Sequence, residues 1–525
     1  MRAELRDSLE FLFPDSPVGE KPVSRLKLDL ARGATASVHL LLNGLKTGAG
    51  LRCRVRSGGR PVAGAGWFRL VEVPVEVNTG LEAFVEKEGE PNPHVIRRAP
   101  FKVYDAMEPV AGSLRVAGPA MALRLQIPVD RQEKPGCRRY EIEVEVAGER
   151  QSFILETVVH RPAIPPSGKD SFPYTNWFWC EPIARNHRLE PWSPAHWRIL
   201  GRYAKLMARA RQNTFLLSLG SVFEFQKDRP VLNRPRLRRL VKLFTEAGLY
   251  YIEGGHLATR HKGEWAATYF DLVLKPVAAT SPEGNALLAS IGRQLWSEIE
   301  GQGWGNRWIQ HVADEPTAGL AADYRILCGM ARKYLPGLPL LDATMDPALA
   351  GSVDIWCPLN RSYQKHRERF VEYQLLGDLV WFYTCCAPGG PWLNRLLDME
   401  LLRPALLGWG AAHFGLDGFL HWGLNYLQPG RDPFRTSVMA PITPKSWPAG
   451  DTHVVYPGPD GPWSSLRLEA QREGFEDYEL LRRLRDRNPR RLAAVIRPVF
   501  RAFDDYTRDT AVFRRGRRAL LAALE

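Results

Sequence analysis

No stretch of this chain is long and apolar enough to span a bilayer, and Met1 to Ser16 mixes charges of both signs instead of building an apolar signal core. Neither a membrane anchor nor export is expected. Cysteine is scarce: seven residues (53, 137, 180, 328, 357, 385, 386), odd in number and irregularly spaced. That pattern argues against a disulfide framework and fits a reducing cytoplasm. Cys385 and Cys386 offer neither CxxC spacing nor a second pair for zinc, so they read as packing, and no metal or other cofactor is expected. The formal charge of +13 raises the possibility of nucleic-acid binding, yet no nucleic-acid motif is present. Much of the excess falls between Arg482 and Arg518, where arginines alternate with apolar residues and with Asp486, Asp504, Asp505 and Asp509. This reads as a solvated helix face.

What is present is a large apolar and aromatic content: 45% hydrophobic and 10% aromatic residues over 525 positions, with 16 tryptophans. The length allows two or three domains. Up to residue 165 the pattern has period two, as in Arg25 to Leu30, Ala36 to Leu42, Leu51 to Val55, Trp67 to Val73 and Tyr140 to Val146. Alternation of this kind predicts half-buried strands, and no convincing amphipathic helix interrupts them, so residues 1–165 are expected to form an antiparallel β-sandwich. Clustered prolines from Arg161 to Gly168 mark the boundary, because they oppose both helix and central strand. The rhythm then changes. Strand-like runs starting at Tyr174, Asn213, Leu249, Arg307, Leu338, Asp354, Leu379 and Gly418 alternate with helical patterns, the last of them Leu393 to Trp409. Eight such repeats predict a (β/α)8 TIM barrel over 166–466. A C-terminal helical segment, 467–525, is expected to pack on it, with Leu492, Val495, Ile496, Val499, Phe500 and Phe503 as one apolar stripe. The Pro- and Gly-rich stretch from Pro429 to Gly461 reads as a long loop of the kind that closes over sites. The fold class is therefore multidomain, α/β plus β.

Active sites of such barrels lie at the carboxyl ends of the strands. The run Arg307 to Pro316 reads as a buried strand ending in Asp314 and Glu315, stopped by Pro316, with a helix N-cap as the competing role for the acids. Other predicted strand ends carry Asn176 and Trp177, Glu253 and His256, Asp342, Trp381 and Tyr383, and Trp422 and Asn425, while Tyr363 follows the sixth strand. With His311 this is the composition of a carbohydrate pocket, in which aromatic faces stack on sugar rings while amides, imidazoles and carboxylates fix hydroxyls.

From about residue 173 to 482 the sequence resembles the catalytic domain of glycoside hydrolase family 123 and the related domain of unknown function 4091. The resemblance is carried, in order, by Asn176-Trp177-Phe178, Arg211-Gln212-Asn213, Ile252-Glu253-Gly254-Gly255, His311-Val312-Ala313-Asp314-Glu315-Pro316, Trp381-Phe382-Tyr383, Gly418 to Asn425, Tyr456-Pro457-Gly458 and Arg472 to Glu479. It implies an N-terminal β-sandwich and a retaining, exo-acting β-N-acetylgalactosaminidase acting on a terminal β-linked N-acetylhexosamine. It also implies that Glu315 is the general acid/base and that Asp314 orients the 2-acetamido group as its oxygen attacks the anomeric carbon to give an oxazoline. Alternatives are a glycosidase for a sugar without an acetamido group, with Glu253 or Asp342 as nucleophile, a carbohydrate-binding protein without turnover, and a nucleic-acid binder. Epimer preference, aglycone, exo versus endo action and oligomeric state stay open, a homo-oligomer included, with exo action the default for so aromatic a pocket.

Overall fold

The structure is a computed structural model and describes residues 1–344 and 346–525. Its chain forms two compact units: Met1–Pro166 with Cys386–Phe414 and Leu427–Glu525, and Ser167–Cys385 with Gly415–Tyr426.

In the first unit the period-two segments are strands. Along Gly136–Val146 the side chains of Tyr140, Ile142, Val144 and Val146 are buried while Arg139 and Glu141 reach outward, as the pleat of a half-buried strand requires. One sheet runs Arg2–Asp7, Thr35–Asn43, Ala120–Pro128, Gly66–Val75, Phe101–Pro109, Gly461–Ser465 and Tyr456–Gly458, and its neighbours are all antiparallel. The other contains Arg25–Arg32, Glu149–Ala163, Gly136–Val146, Gly50–Ser57, Arg60–Pro61 and Leu114–Arg115. Its Arg25–Arg32 and Glu149–Ala163 pair is parallel.

Four expectations change here. Residues 427–525 group with the N-terminal strands because Gly461–Ser465 joins their sheet, pairing Ser464 with Met107. The stretch from Pro429 to Gly461 is held in the same unit by its apolar residues: Val438 shares a core with Val73 and Val75, Phe434 packs 5.4 Å from Tyr456, and Ser437 N donates to Glu76 at 2.8 Å. The C-terminal arginines are only partly solvated. Arg517 is buried, donating to Asp477 at 2.9 Å, and Arg514 donates to Asp7 at 2.7 Å. The stripe from Leu492 to Phe503 is buried, but it divides between the helix Pro489–Ile496 and a hairpin beginning at Phe500.

The second unit alternates strand and helix. Its parallel strands are β1 (Tyr174–Asn176), β2 (Thr214–Leu217), β3 (Tyr251–Gly254), β4 (Trp308–Gln310), β5 (Leu341–Ala343), β6 (Ile355–Cys357), β7 (Leu379–Thr384) and β8 (Gly418–His421). They form two parallel sheets, β1-β8-β7-β6-β5 and β2-β3-β4. Between them run α1 (Pro194–Arg209), α2 (Arg234–Ala247), α3 (Pro282–Gly301), α4 (Ala321–Tyr334), α5 (Asn360–Lys365) and α6 (Arg367–Leu375). Helix starts are written in the sequence: Ser193, Asn233 and Ser281 each accept a backbone N–H three residues on, with proline in the first turn, the arrangement that satisfies orphan amides. The helix expected at Leu393 to Trp409 is instead Leu402–Phe414 and groups with the first unit. Among the described residues no helix is long and apolar enough to cross a membrane.

Candidate active site

Strand β4 ends at Gln310, sooner than the sequence predicts, and the chain runs on through a single parallel bridge between Ala258 and Ala313 before reaching the two acids. Glu315 then adopts φ +46°, a left-handed conformation that a side chain with a Cβ seldom takes and that clusters at functional sites. This turn, not a regular pleat, carries two consecutive carboxyls away from the strand. Neither acid caps a helix; the next one is a 3-10 turn at Ala318–Leu320, with Thr317 at its cap position.

Beneath the acids lies a buried charge cluster built by three neighbouring strands. His311, from the end of β4, donates through Nδ1 to Asp342 of β5 at 2.9 Å and through Nε2 to Glu253 of β3 at 2.6 Å. All three side chains are sealed from solvent. Glu253 also accepts from Trp177 Nε1 and Thr175 Oγ1, each at 2.7 Å. Asp342 accepts from Tyr324 at 2.5 Å and from the backbone N–H groups of Val312 and Ala313 at 3.1 Å. On the other side of β3, toward β2, Gly255 leaves no room for a side chain: a Cβ there would sit 2.7 Å from Leu217 O.

Burial alone would lower the His311 imidazole, but the hydrogen bonds and charges of Asp342 and Glu253 outweigh it and push it up to about 10, so the ring is a cation. Half-buried His256 lies 4.5 Å from that ring, and burial together with the His311 charge holds it well below the usual histidine range, hence neutral. Trp177 meets both imidazoles edge-on, at 5.1 and 5.4 Å. Above them, burial and then the charges of Glu315 and Asp342 push the Asp314 carboxyl up to about 8. At neutral pH the Asp314 carboxyl therefore keeps its proton. Tyr383 donates its hydroxyl to Glu315 Oε1, and Arg260 donates to the Glu315 carbonyl oxygen.

Donor atoms of His256, His311 and Asp342 lie within 4.8 Å of one another. They fit a cation poorly, because both His311 nitrogens are spent on carboxylates and a protonated ring has no lone pair to give.

Thus Trp177, Glu253, His256, His311, Asp314, Glu315, Asp342 and Tyr383 converge. For the other residues named from strand position, the contacts lie within the fold. Asn176 is buried, giving its amide to the Tyr174 hydroxyl at 2.5 Å and to Gln212 at 3.3 Å. Asn425 clamps the Trp179 backbone, accepting its N–H at 2.9 Å and donating to its carbonyl at 3.0 Å. Tyr363 is buried on α5 and stacks on Phe370. Trp381 is buried against Gly418, and half-buried Trp422 packs on Tyr426 at 5.1 Å. These positions fill space or hold loops, tasks that apolar periodicity cannot separate from ligand contact. Thr175, Tyr324 and Arg260 belong to the site but escape a reading by strand ends. Tyr324 looks like helix core, and Arg260 stands on a hairpin outside the strand–helix rhythm.

Residues 254–484 match the family model described as Glycoside hydrolase 123, catalytic domain. Over those residues the chain is similar to the catalytic domain of family 123 glycoside hydrolases. The whole chain is similar in fold to a family 123 glycoside hydrolase from Clostridium perfringens whose structure concerns glycolipid glycan hydrolysis, with TM-score 0.77 and 13% identity over 100% of this chain and 98% of that one. Weaker likenesses are to a β-D-glucuronidase from Dictyoglomus thermophilum, with TM-score 0.35 and 11% identity over 90% of this chain and 68% of that one, and a Parabacteroides merdae β-glucuronidase, with TM-score 0.32 and 12% identity over 85% and 50%. No curated protein matches.

Proposed function

We propose that the second unit is a (β/α)8 barrel, paired in the chain with a β-sandwich, and that it hydrolyses terminal β-linked N-acetylgalactosamine with retention, the substrate's own acetamido group acting as nucleophile. Closure of the barrel is supported at both seams between its sheets: Gln310 N donates to Pro339 O at 2.9 Å beside a parallel bridge from Gln310 to Leu340, and Asn213 N donates to Tyr174 O at 3.3 Å. The observation that carries the chemistry is the consecutive pair Asp314 and Glu315, with the Asp314 carboxyl pushed up and Tyr383 donating to Glu315. The proton kept on the Asp314 carboxyl passes to Glu315, which gives it to the glycosidic oxygen and later takes one from water. Asp314 receives the acetamido N–H, aligning its oxygen on the anomeric carbon to form the oxazoline, an exception to the two-carboxylate scheme.

The competing glycosidase scheme needs an exposed enzyme nucleophile. Glu253 and Asp342 are poor choices, since each is fully buried and already accepts at least three hydrogen bonds. The free thiols of Cys53, Cys137, Cys180, Cys328 and Cys357 fit the cytoplasmic setting read from the sequence.

A matched panel of aryl β-glycosides of GalNAc, GlcNAc, galactose and glucose tests the reading, with Asp314→Ala and Glu315→Ala alongside. Turnover limited to the 2-acetamido sugars, lost in both variants and blocked by a thiazoline mimic of the oxazoline, is expected. Hydrolysis of plain galactosides would overturn it.

A further inference from the structure

Helices α1 and α2 pack against each other, and their charge is one-sided. α1 carries Arg198, Arg202, Lys205 and Arg209 with no acid, and α2 carries four arginines and Lys242 against Glu246 alone. Three of the α2 guanidiniums are neutralised from other elements: Arg234 and Arg238 donate to Glu298 at 2.7 and 2.5 Å, and Arg236 donates to Glu224 at 2.5 Å. Arg239 and Lys205 are not. Both side chains are exposed, and among the described residues neither meets a carboxylate. Like charges on neighbouring helix faces repel, so their placement here gains nothing for folding.

Between the two helices opens a groove of about 370 Å³, lined by Gly201, Lys205, Arg239, Lys242, Leu243 and Glu246. Its carboxylate, Glu246, is loosely engaged with Lys242 at 3.7 Å, which leaves the other two cations open to a ligand. Two features set the groove apart from an ordinary basic surface. Arg239 is held in place, its guanidinium 4.2 Å from the ring centroid of buried Trp197, a cation–π contact that orients the planar fork. Gly201 sits inside α1, where glycine weakens a helix relative to alanine, yet a Cβ there would meet nothing within 4 Å. No packing requires that glycine. What it provides is open space in the groove.

We propose that this groove binds a phosphate dianion, free or as the monoester of a small sugar, with the phosphoryl oxygens on Lys205, Arg239 and Lys242 and any ester group over Gly201 and Leu243. A dianion matches two cations that lack a carboxylate, and an oriented guanidinium receives two phosphate oxygens at once. None of these residues belongs to the acid site, so the binding holds whether or not the chain is a glycosidase.

The test is calorimetric titration of the full chain at low ionic strength with inorganic phosphate, glucose 6-phosphate and glucose. Saturable binding of a phosphate probe with a dissociation constant of about 1 mM or tighter is expected, the yield of two or three charge-assisted contacts, with no binding of glucose. Equal affinity for the two phosphates assigns the groove to the free anion; tighter binding of the ester assigns it to a sugar phosphate. The double variant Lys205→Gln, Lys242→Gln is expected to weaken binding by about tenfold or more, and Arg202→Gln, on the same helix but outside the lining, to leave it unchanged. Gly201→Leu keeps every charge and fills the groove. It is expected to abolish binding while the thermal unfolding midpoint of the unliganded protein holds or rises. No saturable binding of either phosphate by the wild type overturns the proposal, and so does affinity that survives both Gly201→Leu and the double lysine variant.

Discussion

His311 and Asp314 are three residues apart, and burial acts on both, yet their neighbours drive them to opposite charge states. The two carboxylates flanking His311 push it up to about 10. Folding therefore takes up a proton there at pH values above the free-imidazole range, so the stabilisation is complete below about 6.5 and is lost as pH rises through the folded value. His311→Asn leaves two buried carboxylates without their cation and is expected to cost about 3–5 kcal/mol in denaturant unfolding. Asp314, pushed up to about 8 from the 3.8 of an ordinary aspartate, keeps a proton that the unfolded chain has already shed, so its contribution also falls as pH rises across that window. Asp314→Asn removes the charge that burial opposes. A higher unfolding midpoint than wild type at pH 8, with hydrolysis abolished, is the expected pairing in a thermal scan and an activity assay. Tyr383→Phe deletes the hydroxyl donated to Glu315 and is expected to lower kcat by roughly ten- to a hundredfold, the loss of one hydrogen bond to a charged group.

Between elements, glycine decides how close two helices come. Leu402–Phe414 crosses Leu466–Arg487 where a Cβ on Gly408 would lie 2.0 Å from Gly474 O and one on Gly474 would lie 2.0 Å from Ala405 O. Backbone cannot yield as a flexible side chain can, so Gly474→Ala is expected to force the helices apart at a cost of about 1–3 kcal/mol, read from the denaturant midpoint. This gives the run Arg472 to Glu479 a physical meaning that its resemblance to a catalytic domain does not convey. Gly474 permits the crossing, Glu473 accepts from Arg517 at 2.5 Å, and Asp477 accepts from Trp409 at 3.0 Å. The acids of that run are structural, although in sequence they look as catalytic as Asp314 and Glu315. The distinguishing features are the left-handed backbone at Glu315 and its partner Tyr383, and neither can be read from composition.

At the scale of the molecule, period-two and period-3.6 patterns were enough to find five strands of the first unit, the eight parallel strands of the second and most of the helices, because those patterns record which face of each element is buried. The convergence of Trp177, Glu253, His311, Asp342 and the acid pair was also legible, since each follows or ends a strand. What the patterns could not carry is long-range grouping. Whether a C-terminal helix groups with the parallel strands or with the N-terminal sheets depends on pairings hundreds of residues apart. Such pairings are numerous here. Arg467 donates to Asp105 at 3.0 Å with both side chains sealed from water, Gln126 donates to Glu469 at 2.8 Å, and Arg514 reaches Asp7 at 2.7 Å. Removing residues 467–525 would leave Asp105 as a buried carboxylate without its cation and expose the apolar face of Leu402–Phe414, a penalty of several kcal/mol against a total stability of about 5–15 kcal/mol. The shortened chain is therefore expected to lose cooperative unfolding and near-ultraviolet dichroism and to aggregate in sedimentation analysis. An unfolding midpoint close to that of the full chain would instead mark the C-terminal segment as an appendage, and would break the claim that the first unit is completed by the end of the sequence.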